Sequence, residues 1–305
     1  MPTKTINFDF FTVNNVVEQK IDVLDTVLQK ELLNVKNNVF NNVKMFGYFA
    51  RVRAISKNPT NTSIPISQGG EYYWVVTVER VHTDEESYVA DAAGNRQTYA
   101  TGPDEGPVID TVFLYNPNNK IFVVNRSRGG LGFNHLTTYL SKLTDMEDLI
   151  LEIIIDPNVL DKLKKIPMIK YVEYNISVPT NLSALGDPNR GFEGDIKLAK
   201  KLLAGRMKVI LGSDKGKKLS LENVKSKVNS VLSMGESVKG LLVKGEREGI
   251  EETLDLIKQR VIYTKKVNIP KGKKINYIMI MDIAEEAYKV KSKLLNTMYI
   301  NKTKG

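Results

Sequence analysis

Apolar Ile6, Phe8 and Phe10 alternate with polar Asn7 and Asp9 along residues 5–13, the period of a half-buried strand. The period then lengthens: Ile21, Leu24, Val27, Leu28, Leu32 and Leu33 recur at helical spacing. Residues 45–55 return to a strand, with Phe46, Tyr48, Ala50 and Val52 on one side, and 57–70, rich in Asn, Thr, Ser, Pro and Gly, read as a loop. Residues 71–81 form a strand dense in aromatic and β-branched residues, including the only tryptophan, Trp74. The stretch 82–107 is polar and acidic with little periodicity, long for a structureless loop, and reads as mobile or functional. Strands at 108–115 and 121–125 flank the turn Asn116-Pro117-Asn118-Asn119-Lys120. A basic glycine-rich turn at 126–132 leads into a helix at about 134–143, with Asn134 as its N-cap.

The second half opens with a continuous apolar run at 149–155, the signature of a strand buried on both faces. A short basic helix at 158–166, a strand at 168–178, a loop at 179–192, a helix at 193–204 and a strand at 206–211 follow. A helix at 220–233 turns Val224, Val228, Val231 and Leu232 inward, and 238–244 and about 254–268 read as strands, the start of the second fitting a helix as well. A long terminal helix at 276–298 carries the stripe Ile280, Ile283, Ala284, Ala287, Val290, Lys291 and Leu294. The pattern predicts an α+β protein with mixed or antiparallel sheets, helices and no internal repeat. It divides into two subdomains, 1–147 and a basic 148–305.

That division comes from charge. Residues 1–150 carry 14 Lys+Arg and 17 Asp+Glu, whereas 151–305 carry 30 and 18 within a net charge of +9. Such asymmetry points to a polyanionic partner for the second half. Composition removes other classes. The chain has no cysteine, hence no disulfide, thiolate metal site or cysteine nucleophile. Its two histidines, His82 and His135, are too few for a classical zinc centre and serve no serine elbow. There is no run of about 18 apolar residues and no signal-peptide pattern in MPTKTINFDFF, so a soluble, cytoplasmic protein is expected.

The candidate nucleic-acid-binding residues are Arg126, Arg128, Lys197, Lys200, Lys201, Arg206, Lys208, Lys215, Lys217, Lys218, Lys225, Lys271, Lys273 and Lys274. Lysine outnumbers arginine among them, which suits phosphate neutralisation better than bidentate reading of base edges, so weak sequence preference is expected. DNA is the expected partner, with RNA as the other nucleic acid. No catalytic constellation, metal site, cofactor or small-molecule substrate is expected. Gly212-Ser213-Asp214-Lys215-Gly216-Lys217-Lys218 joins a strand to a helix but misses phosphate-loop spacing by one residue and lacks the Ser or Thr that holds magnesium. Arg126-Ser127-Arg128-Gly129-Gly130-Leu131-Gly132 reads as a structural turn. The runner-up is a metal-dependent nuclease built on Glu71, Glu79 and Lys57; a protein–protein adaptor is the third reading.

The Leu114-Tyr115-Asn116-Pro117 turn, the run from Val124 through Asn125-Arg126-Ser127-Arg128-Gly129-Gly130-Leu131 and the Tyr139-Leu140 helix end resemble uncharacterised bacterial and phage proteins of anti-phage loci. The basic second half, with Asp282-Ile283-Ala284-Glu285-Glu286-Ala287-Tyr288, resembles RexA-like phage-exclusion proteins and, more distantly, the KwaB proteins of the Kiwa defence system. This resemblance covers most of the chain by layout. It implies a homodimer that binds DNA with little sequence specificity, acts in phage exclusion by abortive infection, and works with a membrane-protein partner.

Overall fold

The computed structural model describes residues 3–299 except 15–16, 19, 84–87, 91–92, 94, 99–101, 103–104, 147–148, 179–192, 215, 233, 235–236, 248–249 and 271–273. The chain forms two compact units. Unit 1 takes residues 1–8, 16–146 and 263–305; unit 2 takes 9–15 and 147–262.

Unit 1 begins with the Thr3–Phe8 part of β1 (Thr3–Asn14). The ribbon of β2 (Val17–Glu18) and β3 (Ile21–Asp22) leads to α1 (Val23–Lys36), β4 (Val43–Lys44), β5 (Phe49–Pro59) and β6 (Tyr72–Val81). A small hairpin, β7 (Tyr88–Ala90) and β8 (Arg96–Thr98), precedes β9 (Val108–Asn116), β10 (Ile121–Asn125) and α2 (Phe133–Thr144). Unit 2 contains β11 (Ile150–Ile153), α3 (Pro157–Lys165), β12 (Met168–Ser177), α4 (Glu193–Lys201), β13 (Arg206–Gly212), α5 (Leu221–Leu232), β14 (Val238–Arg247) and β15 (Ile250–Asp255). With β16 (Ile262–Asn268) and α6 (Tyr277–Tyr299) the chain returns to unit 1.

The unit 1 sheet runs β1-β10-β9-β6-β5-β4, and β16 also pairs with β1. Its central strand β6 is almost wholly buried, because successive side chains meet helices on opposite faces. Tyr73 donates its hydroxyl to Glu285 of α6 at 2.9 Å. Its neighbour Trp74 donates Nε1–H to Asp25 of α1 at 2.6 Å. On the α1 side, Asp22 caps the helix by accepting the Asp25 N–H at 2.9 Å. The same carboxylate receives the Tyr115 hydroxyl at 2.7 Å and the Lys120 ammonium at 2.5 Å. On the α6 side, the buried Tyr288 hydroxyl accepts from Asn116 at 2.6 Å and Asn119 at 2.9 Å. The β9–β10 turn is thus tied to both helices, which explains why its Asn-Pro-Asn-Asn-Lys composition exceeds what a turn alone requires.

Unit 2 has a four-stranded antiparallel sheet in the order β13-β12-β14-β15. Alternation along β12 buries Val172, Tyr174 and Ile176 and leaves Tyr171, Glu173, Asn175 and Ser177 half-exposed. Helix α5 packs its Val224, Val228, Val231 and Leu232 against β12 and β14. In α4 the inner positions Ile196 and Ala199 are buried. That helix ends in a Schellman turn: Leu203 N–H bonds Lys200 O and Ala204 N–H bonds Ala199 O, both at 2.9 Å. Leu203 therefore occupies the left-handed position, at φ 55°, where glycine is the usual residue.

The α+β class is as expected, and the terminal helix lies within a residue of its expected span. Unit 1 gives way to unit 2 at 146/147, one residue from the expected 147/148 division, but each unit also takes a segment from the other half. Residues 263–305, expected in the second half, belong to unit 1, because β16 pairs with β1 and α6 covers β6, β9 and β10. Residues Asp9–Asn15 belong to unit 2, where Phe11–Asn14 pairs with Ile150–Ile153. The single strand expected at 254–268 is two, separated by a turn holding buried Leu256 and Ile257. Helix α2 begins at Phe133 with Gly132 as N-cap, so Asn134 lies inside the helix.

Two stability outcomes follow from these contacts. Tyr288→Phe should cost about 1–3 kcal/mol in urea unfolding, because the buried amides of Asn116 and Asn119 lose an acceptor. Leu203→Gly should gain about 1 kcal/mol by the same measurement, since glycine adopts the left-handed turn without a Cβ penalty.

Candidate nucleic-acid interface

The β12–β13 register places Arg206 opposite Ser177, Lys208 opposite Asn175 and Ile210 opposite Glu173 on one face of the unit 2 sheet. At the end of that face a cavity of about 650 Å³ is lined by Asn175, Ile176, Ser177, Arg206, Met207, Lys208 and Lys239. Among the described residues three cations, an amide and a hydroxyl line it, and no carboxylate does. The nearest acid along β12, Glu173, pairs with Lys208 at 2.8 Å and also accepts the Tyr171 hydroxyl. The Lys208 hydrogen bond, helped by Tyr171, holds the Glu173 carboxyl below its ordinary range. The same contact raises the Tyr171 phenol. Lys244 lies over the Tyr171 ring, 5.4 Å from its centroid.

Of the expected residues, Lys197, Lys200, Lys201, Arg206, Lys208, Lys217, Lys218 and Lys225 lie in unit 2. Lys197, Lys200 and Lys201 are on α4, beside β13 with Arg206 and Lys208. Lys217 and Lys218 are exposed in the turn before α5, and Lys217 pairs with Asp214 at 3.2 Å. Lys225 is half-exposed on α5. Arg126, Arg128 and Lys274 belong to unit 1. Lys215, Lys271 and Lys273 lie outside the described residues.

The glycine-rich turn carrying Arg126 and Arg128 is packed from beneath. Arg80 donates to the carbonyls of Gly129 and Gly130 at 3.2 and 3.4 Å. A Cβ on Gly130 would meet Thr111 Oγ1 at 2.5 Å. Glycine serves close packing there.

Sorting charge by unit changes the electrostatic picture. Unit 2 has 20 Lys+Arg against 18 Asp+Glu, a net +2, and unit 1 has 24 against 17, a net +7. The surplus seen in the second half of the sequence therefore does not belong to one unit as a whole. What remains is local. Residues 196–213 hold five Lys or Arg and no Asp or Glu, and they build β13 and all of α4 but its first three residues, two of which are Glu193 and Asp195.

The residues suggested for a nuclease have other partners. Glu79 bonds Arg51 at 2.9 Å and Arg53 at 3.4 Å. Glu71 accepts from Asn118 at 2.7 Å. Lys57 sits 3.8 Å above the Tyr72 ring centroid and donates to Gln29. Asp110, opposite Glu79 in the sheet, has a raised pKa, from burial first and then from Glu79. Among the described residues no three His, Asp or Glu side chains gather as metal ligands. Both histidines meet Tyr48: His135 Nδ1 lies 2.8 Å from its hydroxyl, and the His82 ring centroid lies 5.8 Å from its own. Burial, then Arg80, lowers the His135 pKa.

Sequence reasoning missed Asn175, Ser177 and Lys239. The alternation of β12 carried the signal for the first two, since it puts both on the face opposite Tyr174 and Ile176. Lys239 was legible only once β14 was known to lie beside β12.

A comparison with curated proteins finds no match. Over residues 1–297 the chain matches the model of a family of unknown function, DUF6731, and it belongs to that family.

Proposed function

We propose that unit 2 binds the phosphate backbone of nucleic acid, DNA in the first instance, with little sequence preference. The cavity lined by Arg206, Lys208 and Lys239 with Asn175 and Ser177 is the observation that carries this reading. Its size lies within the ordinary range of ligand sites. Lysine and arginine supply charge for phosphates, while an amide and a hydroxyl can hydrogen-bond phosphate or sugar oxygens. The interface is small, so binding should be modest and salt-sensitive. A place in phage exclusion is the biological setting that the resemblance of its motifs implies.

Fluorescence anisotropy with labelled single- and double-stranded oligonucleotides tests the reading. The wild type should bind at low salt with similar affinity across unrelated sequences. Arg206→Glu/Lys239→Glu should weaken binding at least ~10-fold and reduce the log K against log salt slope by about 2, as expected for two lost phosphate contacts. A double variant with unchanged affinity and slope would remove the site from consideration.

A further inference from the structure

We propose that α4 and the turn after it form a docking site for an anionic lipid bilayer, with Leu198, Leu202 and Leu203 entering the headgroup region among surrounding cations. This goes beyond nucleic-acid binding and rests on leucines that do not line the cavity of Arg206, Lys208 and Lys239.

Helix α4 is apolar on two sides. Ile196 and Ala199 face inward and are buried. Leu198 and Leu202, four residues apart and so on one stripe, are 57% and 71% exposed. Leu203 is 92% exposed. Among the described residues of the unit, nothing buries these three leucines. Three large apolar side chains exposed within six residues mark an interaction site.

Leu203 adds an independent observation. The Schellman turn places it at φ 55°, a conformation that disfavours any Cβ. Burial does not compensate, because the side chain is almost wholly exposed. Fold stability alone would place glycine there. A protruding leucine is what contact with another apolar medium requires.

The surroundings identify that medium. Residues 197–203 carry three lysines and three leucines, and no acid follows until Asp214, although Glu193 and Asp195 stand in the first three residues of α4. This is the pattern of a helix lying in a membrane interface, where leucines enter the headgroup boundary and lysines meet lipid phosphates. An acidic extended peptide adding to the edge of β13 would use the groove between α4 and β13, about 460 Å³ in volume. Leu198 and Leu202 line that groove, but Leu203, the most exposed of the three, does not. A bilayer accounts for all three. At nine residues α4 is too short to span one, so it would lie in the plane of the surface.

Co-sedimentation of the full chain with vesicles, either phosphatidylcholine alone or mixed with phosphatidylglycerol, tests the proposal. The wild type should bind phosphatidylglycerol vesicles at least ~10-fold more tightly than phosphatidylcholine ones, and added salt should weaken binding. Leu198→Ser/Leu202→Ser/Leu203→Ser should lose at least ~10-fold of that affinity while retaining its DNA affinity, and Lys239→Glu should do the reverse. Leu203→Gly keeps the fold under control: it should raise the melting temperature yet weaken vesicle binding. Leu202→Trp should shift its emission to the blue on phosphatidylglycerol vesicles. A wild type that ignores these vesicles overturns the proposal. So does a triple serine variant that binds like the wild type, or one whose only change is dissociation of a dimer or loss of a peptide ligand.

Discussion

The position of β13 at the margin of its sheet governs the surface chemistry of unit 2. It has one hydrogen-bonded neighbour, β12, in the sheet order. A strand between two others would have flanking side chains on both sides. Here Arg206, Lys208 and Ile210 remain exposed, and α4 is left with a side toward water. Natural proteins commonly blunt such edges with charge, and lysine and arginine on β13 fit that role. The exposed leucines on α4 do not, since apolar side chains beside an edge invite association. The same short stretch therefore carries a protective feature and an adhesive one.

Unit 1 is organised by a different constraint. Its central strand β6 is covered on both faces, and each covering helix is held by hydrogen bonds to carboxylates or amides set at the end of the apolar contact. Asp22 and Asp25 accept from Tyr72, Trp74, Tyr115 and Lys120 on one side. Glu285 and Tyr288 engage Asn58, Tyr73, Asn116 and Asn119 on the other. Partly buried carboxylates are costly unless satisfied, and these are satisfied by several donors each. The acidic and aromatic richness of these segments is thus explained by helix docking, with no need for catalysis.

The parts of the fold that were legible in the sequence are those with clean periodicity. The spans of α5, α6, β12 and β13 came within one residue at each end, because each repeats an apolar position at the spacing of its own geometry. The turn between β15 and β16 was hidden for a physical reason. Its Leu256 and Ile257 are buried, so the hydrophobic signal runs straight through it, and no glycine or proline marks the reversal. The allegiance of residues 263–305 was equally hidden, since pairing of β16 with β1 joins segments more than 250 positions apart. At the candidate site, the cations of α4 and β13 were found by counting charge. Asn175 and Ser177 needed strand register, and Leu203 needed a backbone angle.

That last distinction bears on how charge should be read. A half-chain sum treats sequence neighbours as spatial neighbours, and the return of α6 to unit 1 breaks that equivalence. Ten of the lysines counted with the second half lie in residues 263–305 and go with the other unit. Counter-ions and ligands respond to charge within roughly a Debye length, about 8–10 Å at ordinary salt, so a polyanion senses a patch and not a domain total. A net +2 unit can bind phosphate well if its cations are gathered and its acids lie elsewhere. In unit 2 residues 196–213 do the gathering: the greater part of one helix, past its Glu193 and Asp195, with one turn and one edge strand, contiguous in sequence and adjacent in space. The affinity for anions proposed for it rests on that adjacency, and the choice of anionic surface proposed for it rests on its leucines.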